Sequence, residues 1–244
     1  QAQAKKSYVV TTGTGSGKSL TYFIPIVDAV LRARASGDKT KRTRAIIVYP
    51  MNALANSQLE EVKKFTDNLS GNSVSVERYT GQEDKAQRAH IAANPPDILL
   101  TNFQMLEYLL TRFGEDDKRV LANCTGLEYL VLDELHTYRG RQGADVALLV
   151  RRVRSRLKAE GLLCIGTSAT MSSSGDEEER RRVVSRVATK LFGTEIAAGS
   201  IIGETLERVT DPSMSLDDVN PLLAKCITEP LPAQDYETYR KHPV

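Results

Sequence analysis

Cysteine is scarce in this 244-residue chain. Its three cysteines, Cys124, Cys164 and Cys226, are odd in number and too far apart for a disulfide framework or a metal-ligand pattern, so a reducing compartment is expected. An excess of one charge is also lacking. Thirty-three basic residues against 31 acidic ones leave +2, which excludes a polybasic, histone-like protein and leaves any nucleic-acid contact to local patches. Long apolar runs are missing too. A stretch such as Val146-Ala147-Leu148-Leu149-Val150 falls far short of the roughly 18–20 residues of a membrane span. No charged-then-apolar leader opens the chain, and it shows no internal repeat or long low-complexity tract. What is present, 41% hydrophobic and 26% charged residues, is ordinary globular composition. A soluble, cytoplasmic protein with no membrane partner is the expectation.

Short apolar runs occur at Tyr8–Thr12, Ala45–Tyr49, Val74–Tyr79, Ile98–Thr101, Tyr129–Asp133 and Leu162–Thr167. Most are continuously apolar, as strands buried on both faces of a parallel sheet are. Helix-period segments lie between them. Val146, Leu149, Val150, Val153 and Leu157 share one stripe, and Leu106, Leu109, Leu110 and Phe113 another. Strand–helix alternation of this kind predicts an α/β fold, a doubly wound, mostly parallel sheet flanked by helices. Ligands of such sheets sit at the carboxyl ends of the strands, so the chemistry is sought there.

The polar link Ala35–Thr43 carries several basic residues, and Ser172–Arg182 runs from serines through acids to arginines, which suits a solvated helix with i,i+4 pairs. The arginines 151, 152, 154 and 156 with Lys158 also read as a solvated helix face. Past Gly193 the composition shifts, and Pro212, Pro221, Pro230, Pro232 and Pro243 crowd the remainder. One domain over 1–193 and a connector or further module over 194–244 are expected. The first residue is Gln and the end carries no stop signal, which reads as a piece of a longer polypeptide.

Thr12-Gly13-Thr14-Gly15-Ser16-Gly17-Lys18-Ser19 follows the first strand, and Leu20 opens a helix. Small residues let backbone N–H groups wrap an anion while the helix presents its positive end. Lys18 is placed to reach β/γ-phosphates, and the Ser19 hydroxyl to hold Mg²⁺. Thr12 stands where the eight-residue pattern has its first glycine. The complementary half is Asp133-Glu134, ending the run Tyr129–Asp133: Asp133 to hold Mg²⁺, Glu134 to orient or deprotonate the attacking water. The two halves predict a nucleoside triphosphate held with its magnesium between neighbouring strand tips. A guanine reader of the Asn-Lys-x-Asp type is missing.

Asp133-Glu134-Leu135-His136 is a DExH box, and Thr167-Ser168-Ala169-Thr170 ends the next strand. With these residues the chain resembles the superfamily 2 DEAD/DEAH-box helicases, through the first of their two RecA-like P-loop NTPase domains. Asp-Glu-Leu-His-Thr-Tyr-Arg-Gly at 133–140, with Gly143-Ala144-Asp145-Val146-Ala147, is similar to bacterial helicases of the MrfA/YprA type and to the DISARM defence type represented by DrmA. The resemblance implies ATP as nucleotide, a single-stranded nucleic acid as partner (DNA before RNA, moved 3′→5′), and a role in DNA repair or phage defence with accessory proteins. It further implies that Pro50, Asn52, Thr80, Gly81, Thr101 and Asn102 contact the strand, and that His136, Ser168 and Thr170 couple it to the ATP site. Asn52 and Asn102 precede helical segments, so each could cap a helix whose free N–H groups accept a phosphate, with Thr80 and Thr101 adding hydroxyl donors. Gln1 or Gln3 stands where the resemblance expects an adenine-reading glutamine. The second RecA-like domain, which supplies arginine fingers, is not in these 244 residues, so weak nucleotide binding and negligible hydrolysis are expected of the chain by itself. A nucleotide-gated clamp on nucleic acid or a partner, without processive unwinding, is the alternative.

Overall fold

Parity along the apolar runs decides the layers. Successive side chains of a strand point to opposite faces. In Ala45–Tyr49, residues Ala45, Ile47 and Tyr49 enter one hydrophobic core while Ile46 and Val48 enter another. The structure, a computed structural model, describes residues 1–13, 15, 17–66, 74–112, 114–169 and 177–204. Its strands are Tyr8–Thr11 (β1), Ala45–Tyr49 (β2), Val76–Arg78 (β3), Ile98–Asn102 (β4), Tyr129–Leu132 (β5), Leu163–Ser168 (β6) and Ile201–Gly203 (β7). They form one sheet in the order β3-β4-β2-β5-β6-β1-β7, parallel at every pairing. The strand β7 is an addition to those read from the sequence.

Parallel neighbours require crossovers, and helices supply them on both faces. Leu20–Ala35 (α1) and Asn52–Thr66 (α2) cover one face, burying Tyr22, Phe23, Ile26, Val30, Ala55 and Val62. The other is covered by Lys85–Ala93 (α3), Phe103–Thr111 (α4), Glu115–Asn123 (α5), Gly140–Arg156 (α6) and Glu177–Phe192 (α7). The expected stripe on α6 is buried throughout. On α4, Leu106 and Leu109 are buried and Leu110 packs beside them; Phe113 lies outside the described residues. No helix among the described residues is long and apolar enough to cross a membrane.

The arginines of α6 do more than face solvent. Arg151 donates to the carbonyls of Ala147 (2.6 Å) and Lys190 (3.3 Å), and Arg154 to those of Phe192 and Gly193, both at 3.2 Å. The last carbonyls of α7, which have no partner within their own helix, are thereby met by cations. Arg152 pairs with Glu107 of α4 at 2.5 Å. On α7 itself, Arg181–Glu177 and Arg182–Glu178 are exposed i,i+4 pairs.

Pro25 sits inside α1 and has no N–H to offer the carbonyl of Thr21. The Tyr8 hydroxyl of β1 donates to that carbonyl at 2.6 Å. Burial, aided by Tyr129, pushes the Tyr8 phenol up to about 12, so it stays a donor at any ordinary pH. A strand residue thus fills the gap left by the proline and ties α1 to β1.

The chain divides into Gln1–Gly203 and Glu204–Val244. The first unit runs past Gly193, where composition alone put its edge, because β7 still belongs to the sheet: Ile201 pairs with Val9 of β1. Of the second unit only Glu204 is among the described residues, so the proline-rich remainder expected to form a connector or further module lies outside them.

Candidate functional site

Because every strand is parallel, all carboxyl ends meet along one rim. Residues 12–19 follow β1, Ser168 ends β6, Asp133-Glu134 follow β5, Pro50 follows β2, Asn102 ends β4 and Thr80-Gly81 follow β3. One expectation needs correction. The glycine loop and the acidic pair do not stand on neighbouring strands, since β6 lies between β1 and β5. Two strand spacings, about 10 Å, separate their tips, and the end of β6 fills the interval.

In the loop, Gly15 and Gly17 have φ of 80° and 75°, a conformation other residues adopt only with strain. Lys18 Nζ donates to the carbonyls of Thr12 (3.0 Å) and Gly13 (2.9 Å), so its ammonium is folded over the loop. Ser19 is the N-cap of α1 but spends no side-chain bond on capping. Two residues into the helix, the Tyr22 hydroxyl meets that of Tyr49 at 3.2 Å. Leu20 begins α1 as expected. Thr14 and Ser16 lie outside the described residues.

The acids are organised by Thr167, a residue the sequence reading passed over as the site's own. β5 and β6 pair with Leu132 opposite Gly166, so the next positions, Asp133 and Thr167, face one another. The fully buried Thr167 hydroxyl donates to Asp133 Oδ1 and accepts from the Glu134 backbone N–H at 3.1 Å. Burial pushes the Asp133 carboxyl above its ordinary value. The neighbouring Glu134 charge adds to the push, and the Thr167 bond and the Lys18 ammonium oppose it. Lys18 and Asp133 therefore feel each other across the tip of β6. Glu134 is held in the left-handed region, φ 54° and ψ 56°, a strained backbone for a non-glycine residue. Its Oε2 lies 3.0 Å from His136 Nδ1 and accepts from the Ala169 N–H at 3.4 Å. Ser168 Oγ lies 3.4 Å from the same His136 nitrogen. His136 and Ser168, expected to act together, do meet, and His136 also touches Glu134. Thr170 lies outside the described residues. Beneath them Leu135 seats directly on Gly166 of β6, where any Cβ would overlap it.

Further along the rim, Pro50, Asn52, Thr80, Gly81 and Asn102 line one hollow of about 500 Å³. Asn102 caps α4, accepting from the Met105 N–H at 2.7 Å, and donates to Asn52 Oδ1 (2.6 Å) and the Thr80 carbonyl (3.0 Å). Asn52 is the first residue of α2 and serves Asn102, rather than being a second cap in the expected sense. The two threonines are also corrected. Thr101 is fully buried and its hydroxyl donates to the Tyr79 carbonyl at 2.7 Å; that of Thr80 donates to Glu83 at 3.0 Å. Neither hydroxyl is presented to a ligand, because strand-end backbone groups claim one and a buried carboxylate the other. Glu83, 5% exposed, also accepts from the N–H groups of Thr80 (2.8 Å) and Gly81 (2.9 Å) and pairs with Arg78 at 3.3 Å. It sets the turn after β3, a role its position gave no reason to suspect. The Gln1 amide donates to the Gly199 carbonyl at 3.4 Å.

A glycine loop with its lysine, an acidic pair clamped by the next strand, and a second hollow on the same rim agree with the comparison of this chain with known proteins. The DEAD/DEAH box helicase family matches residues 1–177. The chain belongs to that family. It is 32% identical over 173 residues to the ATP-dependent helicase YprA of Bacillus subtilis, covering 70% of this chain and 22% of YprA. To the Druantia protein DruE of Escherichia coli it is 25% identical, covering 73% of this chain and 16% of DruE. Among solved structures, the helicase MrfA matches at 26% identity and a TM-score of 0.63 over 92% of this chain and 32% of that one. The sheet is thus the RecA-like α/β fold of these helicases. The chain spans roughly a fifth of the length of the curated relatives just named.

Proposed function

We propose that this chain is the ATP-binding motor domain of a nucleic-acid helicase or translocase, with single-stranded DNA as the preferred strand and 3′→5′ movement. The observation that carries the nucleotide half is a lysine-bearing glycine loop after β1 and an acidic pair clamped by Thr167 after β5, at one rim with only β6 between them. Thr12, Gly13, Gly15, Gly17 and Leu20 enclose the phosphates, and Lys18 turns its ammonium from the loop carbonyls to the β/γ-phosphate oxygens. The residues fit magnesium: Asp133 after β5 offers one carboxylate and Ser19 at the start of α1 one hydroxyl on the same rim, and Mg²⁺ commonly takes one or two carboxylates plus phosphate oxygens. Asp133 and Ser19 would hold it, where it would offset charge on the β- and γ-oxygens. Glu134, aimed by Ala169 and His136, orients the attacking water and takes its proton. Because Glu134 touches His136, which also meets Ser168, a change of charge at the water is felt at the tip of β6.

The hollow of Pro50, Asn52, Thr80, Gly81 and Asn102 takes the strand, through the Asn52 side-chain NH2 and the first backbone N–H groups of α2 and α4, contacts that read no sequence. MrfA has been solved bound to DNA, which supports this assignment. A second RecA-like domain elsewhere in the polypeptide supplies the arginine that such sites need, worth roughly 10³–10⁵ in rate, so this chain by itself hydrolyses ATP negligibly. Work in DNA repair or phage defence rests on the MrfA/YprA- and DrmA-type sequence pattern at 133–147, and a cytoplasmic place on the few, widely spaced cysteines. In the full-length protein, Glu134→Gln should keep the affinity for a fluorescent ATP analogue and lower DNA-stimulated turnover at least about 100-fold, whereas Lys18→Ala should lose nucleotide binding. Normal turnover in the Glu134 variant would remove that residue from its role. Strand displacement by the full-length protein separates a motor from a clamp.

A further inference from the structure

The helix α4 buries Met105, Leu106 and Leu109 against the sheet, yet Tyr108, off that stripe, is 45% exposed. Core packing does not account for its ring. The guanidinium carbon of Arg112 lies 4.2 Å from the ring centroid, over one face of the ring. Both residues line the same hollow as Asn52 and Asn102, and Met51, 59% exposed, is part of the same lining. A groove that met phosphates alone would need neither an aromatic ring nor a thioether in solvent, and exposed apolar groups gathered in a hollow mark a binding surface. The polar side chains there are largely spent on each other, as the Asn102–Asn52 and Thr80–Glu83 bonds show. Beside the amides of Gln104 and Gln142 and the guanidinium of Arg88, the hollow offers a π surface backed by a cation.

We propose that Tyr108, held flat by Arg112, is a base-stacking platform that takes the bases of the strand whose phosphates pass Asn52 and Asn102. This rests on the nucleic-acid reading of the groove and adds to it a contact with the bases. Every base has a π-face, so the platform adds affinity without reading sequence, and Arg112 adds cation–π attraction from behind the ring.

The test uses the full-length protein, a fluorescent oligothymidylate, and an oligonucleotide of the same length and charge in which every position is abasic. Tyr108→Ala should weaken binding of the oligothymidylate about 5- to 100-fold and leave the abasic strand unchanged. Tyr108→Phe should restore the affinity, and the slope of log affinity against log salt should not move, because no phosphate contact is lost. Equal weakening on both strands, with melting temperature unchanged, would assign Tyr108 to backbone contact and overturn the proposal. No change on either strand would also overturn it and leave the surface to a protein partner. If the unaltered protein binds neither strand, the nucleic-acid reading itself falls, and the platform with it.

Discussion

The two halves of the rim handle polar groups in opposite ways. On the nucleotide half, charges are held at a cost: desolvation pushes the Asp133 carboxyl above its ordinary value, Glu134 is twisted into the left-handed region, and Lys18 leans on loop carbonyls. On the groove half, Asn102, Asn52, Thr80 and Glu83 bond one another, and the surface is complete before any ligand arrives. The first half is built for a partner whose charge relieves it. The second is a finished wall, its polar groups already paired, and on the proposed function a nucleic-acid strand would lie along it.

The contrast is sharpest at Asp133. Asp133→Asn should cut turnover of the full-length protein by at least about 100-fold and yet raise the melting temperature of the nucleotide-free protein by a few degrees. The sign follows from the raised pKa. The folded state holds that proton more tightly than the unfolded chain, so stability falls as pH rises from the ordinary carboxylate range through the raised value, and stays lower at neutral pH. The advantage of the Asn variant should therefore shrink as the pH is lowered towards 4 in calorimetry. A variant that melts lower at neutral pH would break the comparison.

On the other half the same kind of truncation should only destabilise. Asn102→Ala removes a cap and strands the Asn52 amide, for about 1–2 kcal/mol, read from the urea midpoint at constant m-value. A smaller effect is expected beneath the nucleotide half, where the Tyr8 hydroxyl ties α1 to β1. Tyr8→Phe should cost about 1 kcal/mol by leaving the Thr21 carbonyl unmet. In a Pro25→Ala background, where the helix supplies its own N–H, that cost should largely vanish. An undiminished cost in the double variant would show that the tyrosine acts otherwise.

How much of this was legible in the chain differs between the halves in the same way. The glycine loop, the acidic pair and the parallel sheet follow from residue types at fixed spacing and from runs that lack polar alternation. Thr167 was not legible, because its bond to Asp133 depends on β6 lying beside β5, and spacing does not give strand order. For the same reason the tips of β1 and β5 were read as neighbours. The hydroxyls of Thr80 and Thr101 were misread because a residue type tells that a donor exists but not what claims it. Glu83 closes its turn through contacts with backbone N–H groups, which leave no pattern in side-chain identity. The strand Ile201–Gly203 has three residues, too few for periodicity to register.

Gly166 has one more implication. With no side chain there, the leucine of the acidic turn rests on bare strand, as a wheel rests on a rail. A methyl group at that position would overlap the Leu135 side chain and force it, or the turn that carries it, to move, while leaving every polar residue of the site intact. A single hydrogen atom in place of a carbon thus gives that leucine its seat.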